Sequence, residues 1–348
     1  MTKLRFLLLL ILSCVVTMRA QQAAPRYLLF KPSASSTAMG GVGVACYGNA
    51  FAAYFNPAAL AFSSDASFTG SFVKPIPFFG NTVHSFLAGS CKIRQDDGLA
   101  FSANLYRRGK QVVTRDDPDP IKLEDPTLSW QGKISYAHAF NTKLAAGMSF
   151  GLVRFALSNG DVQLQNREGF GTGWMFDVGL LIKDILPEAT WHSRTTEKKS
   201  EPGFFESLGG QRQSEGLSVG FALLNLGQKL YLIDKQQSDD LPATLTFGTS
   251  YWPVAFDLAQ AMISIDLEKQ LHESSTLDYV HFGGELTFVR MFSLRTGYFL
   301  DTYGPATSYG TLGFGVHVKF FNFNIARYTR AIDVTWHFDT AISLGTSL

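Results

Sequence analysis

The stretch Thr311-Leu312-Gly313-Phe314-Gly315-Val316-His317-Val318-Lys319-Phe320 alternates apolar residues with polar or small ones without a break. Successive side chains of a β-strand point to opposite faces, so every second residue would share a face. The stretch therefore predicts one strand with an apolar face and a polar face. The residues on its apolar face would be Leu312, Phe314, Val316, Val318 and Phe320.

Segments of the same form recur from Ser64 to the end of the chain. About fourteen can be counted, and bacterial outer-membrane barrels have even numbers of strands. Many segments run ten to fourteen residues, which is longer than the usual strands of a soluble β-sandwich, the alternative that also alternates. We predict an all-β fold, a transmembrane antiparallel β-barrel of about 14 strands over residues 64–348. The predicted strands lie near 65–73, 82–93, 97–107, 128–139, 143–156, 172–183, 216–226, 243–252, 259–269, 278–289, 292–300, 310–320, 322–329 and 336–348.

The connections between these segments alternate in length, as short periplasmic turns and longer external loops would. The connection Asp184–Glu215 breaks the rule, because it falls on the short-turn side yet has about thirty residues. It is either a periplasmic insertion or a sign that the strand count is wrong there. The last strand would end at Leu348, where outer-membrane barrels usually have Phe.

The N-terminus has the three parts of a secretory signal peptide. Lys3 and Arg5 precede an apolar run, and small residues end at Ala20. We predict a signal peptide over residues 1–20, cleavage near Ala20, and localisation in the outer membrane of a Gram-negative-type cell envelope. Lipidation at Cys14 is an alternative reading of the same segment. The mature chain would keep Cys46 and Cys91, which could form one disulfide or remain as two buried free thiols.

Composition and charge argue against several function classes. Aromatic residues make up 14% of the chain and charged residues only 17%, which suits a large apolar surface in contact with outer-membrane lipid. The net charge of +1 and the absence of a basic cluster make nucleic acid an unlikely partner. The seven histidines are scattered without a metal-binding or catalytic spacing. We therefore expect no enzyme activity, no catalytic residues, no metal site and no cofactor.

Residues 21–63 do not alternate, and we predict that they form a small helical or irregular plug. A glycine-rich part contains Gly40, Gly41 and Gly43, which allow close backbone approach. Asn56 followed by Pro57 is a helix-start signal, so Asn56 is expected to cap a short helix through Ala61. A dinucleotide-binding loop is a poor alternative, because the third glycine of that motif is missing.

Four segments together resemble a known family. Asn56-Pro57-Ala58-Ala59-Leu60 is similar to the N-terminal hatch of the long-chain fatty acid transporter (FadL) superfamily, and more closely of its PorV/PorQ branch. The other three are Gly220 to Lys229, Leu241-Pro242-Ala243-Thr244-Leu245, and Ser293-Leu294-Arg295-Thr296-Gly297-Tyr298. The resemblance covers nearly the whole mature chain. The plug residues that carry it or lie beside it are Gly40, Gly41, Gly43, Asn56, Pro57 and Ala58.

The resemblance implies a fourteen-stranded barrel with its N-terminal segment folded into the lumen. PorV-like and PorQ-like proteins belong to type IX secretion, where they carry or attach proteins that have a C-terminal sorting domain. The leading interpretation is therefore a non-enzymatic secretion barrel whose partners are translocon or attachment-complex proteins and secreted cargo. The alternative is a FadL-like transporter of hydrophobic small molecules such as fatty acids.

External loops are the candidate partner-binding surface, because binding residues concentrate on loops held by a rigid scaffold. One loop carries both signs of charge and could bind a protein partner or lipopolysaccharide, although it could equally be only solvated. Another has two aromatic residues at a predicted external tip, which could contact a partner or belong to an aromatic girdle. The candidate residues are Pro75, Phe78, Phe79, Arg107, Arg108, Lys110, Asp116 and Asp117.

Overall fold

The structure is a computed structural model of the 348-residue chain. It describes residues 25–75, 82–109, 111–114, 121–124, 126–157, 169–186, 216–232, 238–255, 259–272, 275–303, 307–329 and 334–344. Among these residues, no helix is long and apolar enough to cross a membrane. The predicted signal peptide lies outside the described residues and stays a prediction.

Fourteen antiparallel strands form a closed barrel, in which each strand pairs with its neighbours along the chain. The first and last strands close it, with Ala66 opposite Leu344 and Val73 opposite His337. The barrel strands are β1 (Ala66–Val73), β2 (Val83–Arg94), β3 (Asp97–Arg108), β6 (Thr127–Ala139), β7 (Leu144–Ala156), β8 (Phe170–Ile182), β9 (Gly216–Gly227), β10 (Thr244–Ala255), β11 (Ala259–Gln270), β12 (Tyr279–Phe288), β13 (Phe292–Asp301), β14 (Tyr309–Val318), β15 (Phe321–Thr329) and β16 (Val334–Leu344).

Alternation along the strands gives the barrel an apolar outer face and a polar or small inner face. In β14, Leu312 is 60% exposed on the outside, whereas its neighbour Thr311 is buried inside. Phe101 and Ile134 are also 60% exposed on other strands. An apolar outer face of this kind fits contact with lipid and costs free energy in water. The predicted all-β barrel of fourteen strands is therefore confirmed.

The structure contains one hairpin that the sequence does not predict, and it settles the strand count at the Asp184–Glu215 connection. The connection between β3 and β6 contains a separate hairpin of β4 (Gln111–Thr114) and β5 (Ile121–Glu124), where the sequence predicts only a loop. Strands β8 and β9 pair directly despite the long connection between them, so the strand count is right there. Residues 187–215 of that connection and the predicted strand end at Leu348 lie outside the described residues.

We call the end of the barrel with the turns β2–β3, β6–β7 and β14–β15 the short-turn end, and the opposite end the long-loop end. The N-terminal segment, residues 25–63, runs through the lumen between these two ends and contains four short helices. The first and last are 3-10 helices. In order, they are Arg26–Leu29, α1 (Ala34–Ala38), α2 (Ala52–Phe55) and Pro57–Phe62.

Cys46 and Cys91 are free thiols. The predicted disulfide is absent, and the alternative of two buried free thiols is right about the free thiols but not about burial, because Cys46 is partly buried and Cys91 is exposed on β2. Cys91 is exposed because alternation places it on the outer face, between Ser90 and Lys92.

Candidate functional site

Inward-facing glycines on eight strands let the N-terminal segment lie directly against the barrel wall. At Gly297, an added Cβ would lie 2.2 Å from the backbone N of Gly40 and from the carbonyl carbon of Met39. Such contacts are far inside van der Waals distance, so no other residue fits without movement. We call this set the glycine belt; its members are Gly98, Gly147, Gly179, Gly220, Gly248, Gly283, Gly297 and Gly313.

The glycine-rich part of the segment is itself shaped for this approach. Gly40 and Gly41 have φ of 73° and 97°, a backbone region that favours glycine. The carbonyl of Gly40 accepts a hydrogen bond from His281 Nδ1 at 2.7 Å, and the N–H of Gly43 donates to Asp266 Oδ2 at 2.7 Å. The predicted residues Gly40, Gly41 and Gly43 are thus bound to β11 and β12 inside the barrel.

Asn56 joins the glycine-rich part to the helix that follows. Its side chain accepts from the N–H of Ala58 at 3.1 Å, which caps the 3-10 helix beginning at Pro57. Its Nδ2 donates to the carbonyls of Val44 at 2.9 Å and Leu180 at 3.0 Å. The expected cap is present, and this one buried amide also links two parts of the segment to β8.

Asn56 gives a test of the segment's attachment. Asn56→Ala is expected to lower the free energy of unfolding by about 1–2 kcal/mol, because it removes the cap and both donated bonds. Asn56→Asp keeps an acceptor for Ala58 but directs a second carboxylate oxygen toward the carbonyls of Val44 and Leu180, so it is expected to be the more destabilising of the two. Urea unfolding in lipid vesicles measures both. The reverse order of stability would contradict the donor role of Nδ2.

A carboxylate on the wall, that of Asp339, also holds the start of α1. Asp339 Oδ2 on β16 accepts from the backbone N–H of Ala34 at 2.5 Å and of Ser35 at 3.3 Å, and from Ser33 Oγ at 3.1 Å. These donors lie at the start of α1, where backbone N–H groups have no partner within the helix. Asp339 Oδ1 accepts from Asn324, which ties the contact into the wall.

A partly buried ion pair holds the segment on the opposite wall. Lys31 Nζ lies 2.7 Å from Glu268 Oε2 on β11, and His281 Nε2 lies 3.3 Å from the same oxygen. The sequence places His281 and Glu268 on the lumen face, but nothing in it points to Lys31 as their partner. Lys31 and Glu268 are 237 residues apart in the chain, and only the folded barrel brings them together.

An apolar cluster fills the lumen near the long-loop end. The ring of Tyr27 stacks on Tyr106 at 5.5 Å and on Phe155 at 6.1 Å between centroids. The connection after β9 folds inward, so that Leu230 is fully buried over Gly173. We call this set the apolar cluster; its buried members are Tyr27, Leu28, Val153, Met175, Leu230, Leu232 and Leu241.

A row of aromatic side chains lines the lumen on the other side of the same end. Phe299 lies 5.1 Å from Tyr279 and 4.9 Å from Tyr309, and Tyr309 lies 5.2 Å from Tyr328. The rings of Tyr279, Phe299 and Tyr309 are only partly buried. The long-loop end of the lumen therefore presents apolar surface from two walls.

The wall beside the apolar cluster is irregular between β8 and β9. The register shifts between Phe176 and Val178, and Asn225 has φ of 60°, an unusual value for a residue other than glycine. The N–H of Asn225 donates to Asp177 Oδ1 at 2.7 Å, and Asp177 Oδ2 lies 2.7 Å from Lys133 Nζ. This buried network replaces regular strand pairing at the irregular position.

The predicted partner-binding residues are only partly described. Phe78, Phe79, Lys110, Asp116 and Asp117 lie outside the described residues, so their role stays a prediction. Pro75 follows β1 and is buried, which does not fit an exposed contact. Arg107 is exposed at the end of β3.

Arg108 turns back to the barrel instead of extending into the loop. Its guanidinium donates to the carbonyl of Ala156 and lies 5.8 Å from the ring centre of Phe155. The sequence could not show this, because Ala156 lies on β7, which begins more than thirty residues later and is separated from β3 by β6.

Comparison with known proteins places this fold. No protein-family model matches the sequence, and no curated protein matches it. Among solved structures, the chain is similar to the CymD monoaromatic hydrocarbon channel, with a TM-score of 0.56 and 13% identity over 91% of this chain and 99% of that chain. It is also similar to the Pseudomonas putida toluene transporter TodX, with a TM-score of 0.54 and 12% identity over 90% of this chain and 96% of that one.

The chain has the fold of these transport barrels. These neighbours are fourteen-stranded barrels of the FadL superfamily, which agrees with the wider resemblance seen in the sequence. They are a channel and a transporter, not enzymes. They give no support to the narrower resemblance to the PorV/PorQ branch.

Proposed function

We propose that this chain is a non-enzymatic outer-membrane barrel that passes hydrophobic small molecules, with residues 25–63 acting as its plug. The observation that carries the proposal is the apolar cluster, which the N-terminal segment and the inward-folded connection build together inside the lumen. An apolar molecule can replace such contacts without leaving a hydrogen bond unmade. A polar solute cannot, because burying its unpaired groups costs free energy.

Two further features support a hydrophobic route over a water-filled pore. The N-terminal segment occupies the lumen, where Ala58 and Ala59 have no exposed surface. The aromatic row gives an apolar molecule a second surface on which to lie near the long-loop end. A lateral opening, through which such a molecule would leave the lumen, would arise most readily between β8 and β9, where regular strand pairing is already interrupted.

The secretion interpretation rests on the sequence motifs alone. The transport titles of CymD and TodX support the alternative, transport of hydrophobic molecules, better than they support a type IX secretion role. We therefore place transport first and keep secretion partners as a competing outcome of the experiment.

Uptake by cells tests the proposal. The full chain would be expressed in a Gram-negative host that lacks its own hydrophobic-uptake barrel, and uptake of radiolabelled toluene and oleate would be measured. We expect uptake of at least one probe to rise several-fold above that of cells with an empty vector. Leu230→Gln is expected to abolish most of this rise, since it puts an amide into the apolar cluster. Tyr231→Gln is the matched control, because Tyr231 is next to Leu230 in the chain but is 40% exposed.

The contrary result is equally specific. Absence of any rise for both probes, together with recovery of translocon subunits or sorting-domain cargo on affinity purification from native membranes, would replace transport by secretion. A rise that Leu230→Gln leaves unchanged would contradict a route through the apolar cluster. Gel migration with and without boiling shows whether each variant still forms a closed barrel.

A further inference from the structure

The outer face of the barrel has a groove of about 650 Å³ across β12 to β15. Its floor is a row of register partners: Gly284 lies opposite Thr296, Thr296 opposite Leu312, and Leu312 opposite Arg327. The row ends at Trp336 on β16, which lies opposite Arg327. Alternation puts all five on the lipid side of the wall.

Side chains of the next outward-facing row form a ridge along the groove. Leu286 lies opposite Leu294, Leu294 opposite Phe314, and Phe314 opposite Ile325. The floor is low at one end, because Gly284 has no side chain and an added Cβ there would meet only Met262 O at 3.8 Å. The groove is thus a shallow apolar channel that is deepest at β12 and β13.

A positively charged side chain, that of Arg327, lies at the other end of the groove. Arg327 is exposed on the outer face, two residues before β15 ends at the long-loop end. Its guanidinium carbon lies 5.9 Å from the ring centre of Trp336. Within the described residues, no carboxylate forms an ion pair with it. A lipid-facing arginine is costly near the middle of a bilayer and tolerated near its interface, which fits the position of Arg327 close to the end of its strand.

The row is long enough to hold a large part of one acyl chain. Strands lie about 4.8 Å apart, so the three intervals from Gly284 to Arg327 span about 14 Å. The row runs across strands that tilt by about 35–45° in such barrels, so it descends about 9 Å along the membrane normal, within the depth of about 15 Å that one leaflet's acyl chains fill. A lipid with its headgroup at Arg327 could therefore lay an acyl chain along the floor as far as Gly284.

We propose that this groove is a binding site for an anionic, phosphate-bearing lipid of the leaflet at the long-loop end. The Arg327 guanidinium binds the phosphate, since its fork of N–H donors matches phosphate oxygens. The indole of Trp336 packs at the level of the headgroup, where tryptophan is favoured in membranes. One acyl chain lies over Thr296 and Gly284 beside the apolar ridge. The site needs only the barrel and is independent of what the lumen transports.

Lipid retention tests this site. The full chain would be reconstituted in phosphatidylcholine vesicles that contain a minor fraction of phosphatidylglycerol, released gently in detergent, and analysed by native mass spectrometry. We expect phosphatidylglycerol to stay bound to the wild-type protein. Arg327→Gln is expected to weaken its retention about tenfold, the change in Kd that accompanies loss of one charge-assisted contact. Arg327→Lys should fall between the two, because it keeps the charge without the fork.

Filling the groove gives the second arm. Gly284→Leu is expected to reduce retention by closing the deep end of the groove. Gly132→Leu is the control, since Gly132 also faces outward on β6 and an added Cβ there meets nothing within 4 Å. Equal retention in all variants, or equal retention of phosphatidylcholine, would overturn the site. A dimer that Gly284→Leu dissociates would assign the groove to a second copy of the chain instead.

Discussion

Gly297→Val is expected to displace the N-terminal segment from the lumen and to open the barrel to ions. A Cβ at this position would lie 2.2 Å from the backbone of Met39 and Gly40, and backbone atoms cannot yield as a flexible side chain can. Overpacking a core costs about 1–3 kcal/mol even when side chains can adjust. Here the lower-energy response is release of the segment, because the closed barrel can keep all its strand pairing without it.

Two measurements detect the release. Conductance across a planar bilayer should rise from near the baseline to clear channel events, since the segment no longer fills the lumen. Chymotrypsin should cut after Phe51, which is buried in the intact protein. Gel migration with and without boiling would confirm that the strands still close.

Gly310→Val is the matched control for this substitution. Gly310 lies opposite Tyr298 on the adjoining strand, faces outward, and has no atom within 4 Å of an added Cβ. It should behave as the wild type in both measurements. Wild-type conductance and resistance to chymotrypsin at Phe51 in Gly297→Val would show that the segment is not held against β13.

The glycine belt also shows which features of the fold cannot be predicted from the sequence. Alternation is a local property with a period of two residues, so it predicted which residues of β14 face outward and where the strands lie. It places Gly297 and Gly313 on the inner face equally well. That an opposing backbone approaches them depends on the registers of eight strands and on the path of residues 25–63, which no local pattern contains.

The short helices show the same division. Asn56 and Pro57 are a local start signal, and the helix begins there as expected. The two carbonyls that Asn56 Nδ2 binds lie 12 and 124 residues away, and only the folded barrel brings them within reach. The hairpin of β4 and β5 was missed for a different reason, because strands of four residues give too few alternations to stand out from a loop.

Asp177→Leu is expected to be the most destabilising single substitution in the wall. Asp177 has no exposed surface and Lys133 is only 4% exposed, so the change leaves a buried ammonium group without its carboxylate. Breaking a buried pair in this way costs about 3–5 kcal/mol. Lys133 Nζ keeps only Asn225 Oδ1 at 3.3 Å, a longer contact with a neutral group.

The double variant Lys133→Met/Asp177→Leu separates the pair from the wall irregularity. Replacing both charges by apolar groups removes the unpaired ammonium, and such replacements are often neutral or stabilising. Recovery should stop short of the wild type by about 1–3 kcal/mol, because the N–H of Asn225 loses Asp177 Oδ1 as its acceptor. Urea unfolding in vesicles, monitored by tryptophan fluorescence, gives the free energies of unfolding of Asp177→Leu, Lys133→Met and the double variant.

The same variants connect the wall to the proposed transport. If molecules leave the lumen between β8 and β9, releasing the N–H of Asn225 should change toluene or oleate uptake in the double variant even where stability has largely returned. A double variant as unstable as Asp177→Leu would instead show that Asp177 acts mainly by accepting from Asn225. Restored stability with unchanged uptake would place the exit elsewhere in the wall, since the β8–β9 irregularity would then be a structural feature without a part in passage.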